Sequence, residues 1–340
     1  GVELTPTLAL VPVANVVLLC RELLLGALPW PAIGVTMAVM TGLALLLLHR
    51  AVSLFGAETM LGDGGGGALS WRSLLPRRER VREGELTPSV AAPVFLLVLL
   101  GFFYIGAPLQ MRDVRLGLAV TQLLVIAGIP LLAMRMLGIP ILPTLRLGRP
   151  LPAALPLLAI PAAPAATGLA ALVATLQGVV VEVPESYREI MRRLVTTESG
   201  EGLALALLVF ALLPALCEEI LFRGFILRAL LGRVSPMRAI LWSAVLFGAF
   251  HFDLYRLLPT ILLGLILGWV AWATGSLWPA ILLHASNNAI AVLATNASVV
   301  TRVPWLAEEA VPPVGILLGA LGLGLAAFLA MARLGRGRRV

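Results

Sequence analysis

Two carboxylates stand side by side at Glu218-Glu219, just after a stretch from Leu203 to Leu216 that carries no charge. A carboxylate at membrane depth costs about 2.5–3.5 kcal/mol on insertion scales, so such a pair is kept mainly where it does work. Glu219 and Arg223 are four residues apart and share a helical face on which they can pair. Glu218 points about 100° away from Glu219, so the two carboxylates need not share a role. Two further polar intrusions follow: His251 closes Phe247-Gly248-Ala249-Phe250-His251, and His284 and Asn288 lie one helical turn apart in His284-Ala285-Ser286-Asn287-Asn288. Hydrolysis at a carbonyl needs an activated water, a proton shuttle and stabilisation of the oxyanion. Glutamate supplies a general base, neutral imidazoles bind a metal or hold the water, and an Asn amide donates to the oxyanion. A Glu pair, two His and an Asn on three apolar segments therefore make a candidate active site.

Each residue also has a plainer reading. The Glu pair could be a structural salt bridge or line a transport path, a lone His could be a hydrogen-bonded core residue, and Asn288 could bridge helices. Cys217 lies beside the carboxylates without a nearby histidine and reads as a small buried apolar residue. The chain lacks the H-E-x-x-H helix of soluble zinc peptidases. Glu219, His251 and His284 could hold a zinc ion with an open fourth position, and the same set could hold a water unaided. Asp253 is a candidate outer partner for His251. Asn287 is an alternative to Asn288, though it faces elsewhere.

Taken in order, Glu218-Glu219-Ile220-Leu221-Phe222-Arg223, Phe247 to His251 and His284 to Asn288 resemble the motifs of the CPBP family of intramembrane endopeptidases. That family includes the type II CAAX prenyl endopeptidases and bacterial relatives linked to bacteriocin processing or self-immunity. The resemblance covers roughly residues 151–300. It implies Glu218 or Glu219 as base, His251 and His284 as metal ligands or water-holders, and Asn288 as oxyanion donor. Arg223 would position a carboxylate.

The elements that must carry these residues are membrane helices. The chain has 340 residues of which 60% are apolar, with a mean hydropathy of +1.00. This composition implies an all-α polytopic membrane helix bundle, and the apolar segments count to about ten spans. All 25 basic residues are arginines. They flank apolar segments, so the net charge of +7 reflects the positive-inside pattern rather than nucleic-acid binding. Two cysteines in apolar segments, Cys20 and Cys217, exclude a disulfide framework.

Three regions follow from the pattern. Residues 1–62 form a membrane segment resembling the end of a type 2 ABC export permease of the sodium-extrusion kind. The residues that carry this are Glu3-Leu4-Thr5-Pro6, Val11-Pro12-Val13-Ala14-Asn15-Val16, Arg21-Glu22-Leu23-Leu24 and Leu54-Phe55-Gly56-Ala57-Glu58. That resemblance implies an ATPase subunit as partner, and a second reading in which the chain is a non-catalytic regulatory or immunity module of an export system. The chain begins at Gly1 without a signal-peptide layout, which reads as a piece of a longer protein. Residues 63–90 form a Gly- and Arg-rich cytoplasmic linker, and residues 91–340 the peptidase-like domain. The arginines place the linker and the C-terminal tail in the cytoplasm of a bacterial cell. Partners are the bilayer and a peptide or protein substrate, and a prenylated C-a-a-X substrate is not expected in a bacterial host. Residues 180–201 mix charges with apolar residues at helical spacing and predict a short amphipathic interfacial helix. Prolines 152, 156, 161 and 164 predict a kinked span. One conflict stands: simple alternation of spans puts Glu218 and Glu219 toward the cytoplasm and His251 toward the other face.

Overall fold

The computed structural model describes residues 30–42, 85–148, 154–197, 199–300 and 314–335, with isolated positions besides. The bulk of the expected linker, the permease-like stretches at 54–58 and 11–14, the loop 304–313 and the arginine tail after 335 lie outside the described residues. The chain divides into two compact units, Gly1–Arg80 and Val81–Val340, and the division falls inside the expected linker. In the first unit the helix α1 (Trp30–Gly42) contributes Ala32 to a small core with Ala9 and Leu19.

The second unit is helical, without a strand among the described residues. It runs α2 (Pro88–Arg112), α3 (Val114–Met136), α4 (Ala154–Val180), α5 (Glu185–Val195), α6 (Gly200–Leu230), α7 (Pro236–Phe250), α8 (Leu254–Thr274), α9 (Trp278–Ala294) and α10 (Val314–Leu334). Six of these, α2, α3, α4, α6, α8 and α10, are long and apolar enough to cross a membrane. The molecule is an all-α integral membrane bundle. Leu97, Leu124, Leu172 and Leu325 are among the large apolar side chains that face outward, as lipid contact requires.

Helix α6 is the centre. Of its most apolar window 61% is buried inside the protein, against 18–44% for the other five. Ser199 caps its start, its Oγ accepting from the Gly202 amide at 3.0 Å. Pro214 does not end it. The preceding residues Leu207–Leu212 are wound as a π-helix, which absorbs the carbonyl that proline leaves without an N–H partner. The same arrangement recurs in α2, where Phe102–Gly106 precedes Pro108, and in α3, where Thr121–Ala127 precedes Pro130. A fourth π segment, Ile220–Ile226, contains no proline and carries Arg223. Helix α4 is interrupted at Leu158, between Ala154–Leu157 and Ala159–Val180, while Pro164 sits inside the second piece.

The conflict over depth resolves in the lengths of α6 and α7. At about 1.5 Å per residue α6 runs about 46 Å, well beyond a hydrocarbon core of about 30 Å. Glu218 therefore lies about 18 Å before the end at Leu230, and His251 about 22 Å beyond the start of α7 at Pro236. The two helices run antiparallel from the turn at 231–235, with the Ser243 hydroxyl donating to the Phe222 carbonyl at 2.9 Å. Both groups thus reach the same depth. Gly275, at φ 63, turns the chain from α8 into α9. Leu277 then approaches Gly224, which sets His284 level with Glu218.

Candidate active site

Glu219 is fully buried, and one of its oxygens is held twice. Its Oε1 accepts from Arg223 Nη1 at 2.7 Å and stands 3.0 Å from His284 Nδ1. Arg223 is itself fully buried, donates from Nη2 to the Gly264 carbonyl at 3.1 Å and lays its guanidinium 4.3 Å from the Phe247 ring centroid. The approach to Gly264 requires that residue, because a Cβ there would meet the backbone of Ala244 at 3.0 Å. The i,i+4 spacing thus yields the expected pair, and a buried charge is matched by a buried charge.

Glu218 faces differently. Its Oε1 accepts from Gln122 Nε2 at 2.8 Å, and its Oε2 stands 4.0 Å from His284 Nε2. With Nδ1 toward Glu219, His284 turns its Nε2 toward Glu218. His251 closes α7, and its Nδ1 lies 2.8 Å from the Phe247 carbonyl. A carbonyl accepts only, so Nδ1 is the protonated nitrogen and Nε2 is left free as an acceptor. The Phe247 ring packs edge-on against both imidazoles, at 4.9 Å to His251 and 5.7 Å to His284. One aromatic residue therefore spaces two histidines and an arginine.

Asn288 follows His284 by one turn of α9 and is partly buried. Asn287 donates from Nδ2 to Asn288 Oδ1 at 3.2 Å and accepts from Thr167 of α4 at 2.9 Å. Asn287 thus supports its neighbour, and the Asn288 amide nitrogen is the end left for other work.

Among the described residues no group of three His, Cys, Asp or Glu side chains is arranged to hold a metal ion. Glu219 Oε1, the oxygen nearest His284, is engaged by the Arg223 guanidinium, whose positive charge opposes a cation at that atom. Asp253 does not support His251 either. It caps the turn into α8, accepting from the Tyr255 amide at 3.0 Å, and takes a short hydrogen bond from the Tyr187 hydroxyl of α5. Burial and that carboxylate push the Tyr187 phenol well above its ordinary value. Cys217 is buried and free, as a small apolar residue would be.

Two features were not foreseen. Gln122 reaches Glu218 from α3, and the only local signal is a lone amide in an apolar span. Helix α5, the expected amphipathic helix, is tied across the site's outer end. Tyr187 holds the loop after His251, while Thr197 donates its amide to Asn296 Oδ1 at 2.8 Å, beyond the end of α9.

Residues 200–290 match the family model for type II CAAX prenyl endopeptidase Rce1-like proteins. The matched segment runs from the start of α6 to just past Asn288, so it contains every one of the candidate residues Glu218, Glu219, Arg223, His251, His284 and Asn288. Over that stretch the chain is similar to membrane endopeptidases of the CAAX type. No curated protein matches the chain, and no solved structure does. The match does not reach residues 1–62, where the permease resemblance was drawn.

Proposed function

We propose that the chain is an intramembrane endopeptidase that hydrolyses peptide bonds of membrane-associated peptides or proteins, with Glu218 as the general base. The observation that carries this reading is the division of labour between the two carboxylates. Glu219 is fully buried with Oε1 tied to Arg223 and His284 and Oε2 without a partner among the described residues, whereas Glu218, held through Oε1 by Gln122, turns Oε2 toward His284 Nε2 at 4.0 Å. One water molecule can bridge that spacing, donating one hydrogen to each group and leaving a lone pair for the scissile carbonyl. Attack transfers the water's proton to Glu218, and Glu218 returns it to the leaving amine. His251 offers Nε2 to the same water or to the leaving group. Asn288, its oxygen held by Asn287, donates from Nδ2 to the oxyanion. Among the described residues no three His, Cys, Asp or Glu side chains are arranged to hold a metal ion, and the proposed steps use none.

The test is cleavage of a fluorogenic peptide library, with a prenylated C-a-a-X peptide included, by the full chain in detergent. Wild-type protein cleaves, and Glu218→Gln lowers kcat at least about 100-fold. A chelator leaves the wild-type rate unchanged. Chelator inhibition reversed by zinc would overturn the metal-free mechanism, and no cleavage of any peptide by folded wild-type protein would favour a non-catalytic module.

A further inference from the structure

We infer that Gln122, on α3 and outside the family-matched segment, is the positioning residue that orients Glu218 for catalysis. The inference rests on the reading of Glu218 as base. Gln122 is 2% exposed on a largely apolar helix, and a buried amide is costly unless it is hydrogen-bonded. Its hydrogen bond goes to Glu218 Oε1 at 2.8 Å across 96 residues of sequence. An ionised carboxylate only accepts, so the amide nitrogen faces Glu218 and the orientation of the amide is settled by chemistry. The Gln122 oxygen has no partner among the described residues, so the side chain's donor is committed to Glu218 and its acceptor to nothing else.

The backbone supports the same reading. Gln122 lies in the π segment Thr121–Ala127, which turns the chain out of the ordinary helical register. Its neighbour Thr121 is anchored in turn, donating to the Gly117 carbonyl at 2.6 Å and accepting from Gln110 at 3.2 Å. The terminal torsion of a glutamate is broad and roughly two-fold, so packing alone does not fix which oxygen points where. Holding Oε1 leaves Oε2 as the oxygen that faces His284 Nε2. Gln122 thereby selects the working oxygen of the base.

The experiment measures kcat and KM for wild type, Glu218→Gln, Gln122→Met, Gln122→Asn and Gln122→His with the peptide that wild type cleaves best. Gln122→Met keeps the shape and removes the donor, and kcat falls about 10- to 100-fold while KM and the unfolding midpoint hold. Gln122→Asn keeps the amide but withdraws it by one methylene. It gives the same loss and stands in for Gln122→Met should that variant not fold. Gln122→His returns a donor at a similar reach and recovers most of kcat. Wild-type kcat in Gln122→Met or Gln122→Asn beside an inactive Glu218→Gln overturns the inference alone, as does a loss that Gln122→His fails to recover. An inactive wild type, or an active Glu218→Gln, overturns instead the reading on which it rests.

Discussion

At the scale of residues, the two adjacent glutamates have different surroundings, and the proposed roles follow from that difference. Glu219 and Arg223 are both fully buried, and removing one partner of such a pair leaves an uncompensated charge costing about 3–5 kcal/mol. Arg223→Met is therefore expected to lower the unfolding midpoint in detergent sharply. Arg223→Lys recovers little, since a point charge cannot serve Glu219, the Gly264 carbonyl and the Phe247 face together. Glu218→Gln, by contrast, leaves the midpoint nearly unchanged while abolishing turnover, and equal destabilisation by both substitutions would contradict the division of labour. Much of this was legible beforehand. The four-residue spacing from Glu219 to Arg223 foretold their pair, and the histidines and asparagine marked the other walls. What distinguishes the two carboxylates was not legible, because Glu218 meets Gln122, 96 residues away from it in sequence.

Among the elements, helix geometry is bent to serve the site. Proline in α2, α3 and α6 is tolerated because a π segment stands just before it, an accommodation that composition alone leaves invisible. The proline-free π segment at Ile220–Ile226 instead re-registers the chain directly after the carboxylates, where π segments often mark functional sites. The contact of α7 with α8 is the other exacting joint. Gly264 lies against Ala244 while its carbonyl takes Arg223, so bulk there would both part the helices and loosen the ion pair. Gly264→Val is expected to cost about 1–3 kcal/mol by overpacking and to lower activity beyond what that instability explains. Thermal unfolding beside kcat at a temperature where the variant stays folded separates the two effects. Retained kcat would mean that the joint matters for folding alone.

The whole molecule answers a question that counting spans leaves open. Alternation treats every helix as one membrane thickness, and it therefore set Glu218 and His251 on opposite sides. A long α6 joined to a short α7 by a tight turn brings both to one depth, and length, unlike hydropathy, is blurred in sequence by the prolines that seem to end a helix. The same assembly leaves α5 on the outside, with no buried residue of its own, strapped at one end by Tyr187 on Asp253 and at the other by Asn296. Its ion pairs are exposed and contribute little, so those ties hold it. The raised Tyr187 phenol means that its end is stable below the ordinary tyrosine value near 10, and that this contribution is lost only as pH rises beyond it. Amide exchange across 185–197 should therefore stay equally protected from about pH 6 to pH 9 once intrinsic rates are corrected. Tyr187→Phe with Asn296→Ala is expected to release that protection by at least about tenfold while α6 to α8 exchange as before. Unchanged protection in the double variant would show that α5 is held by its apolar face, and loss of protection throughout the bundle would make the strap part of the core.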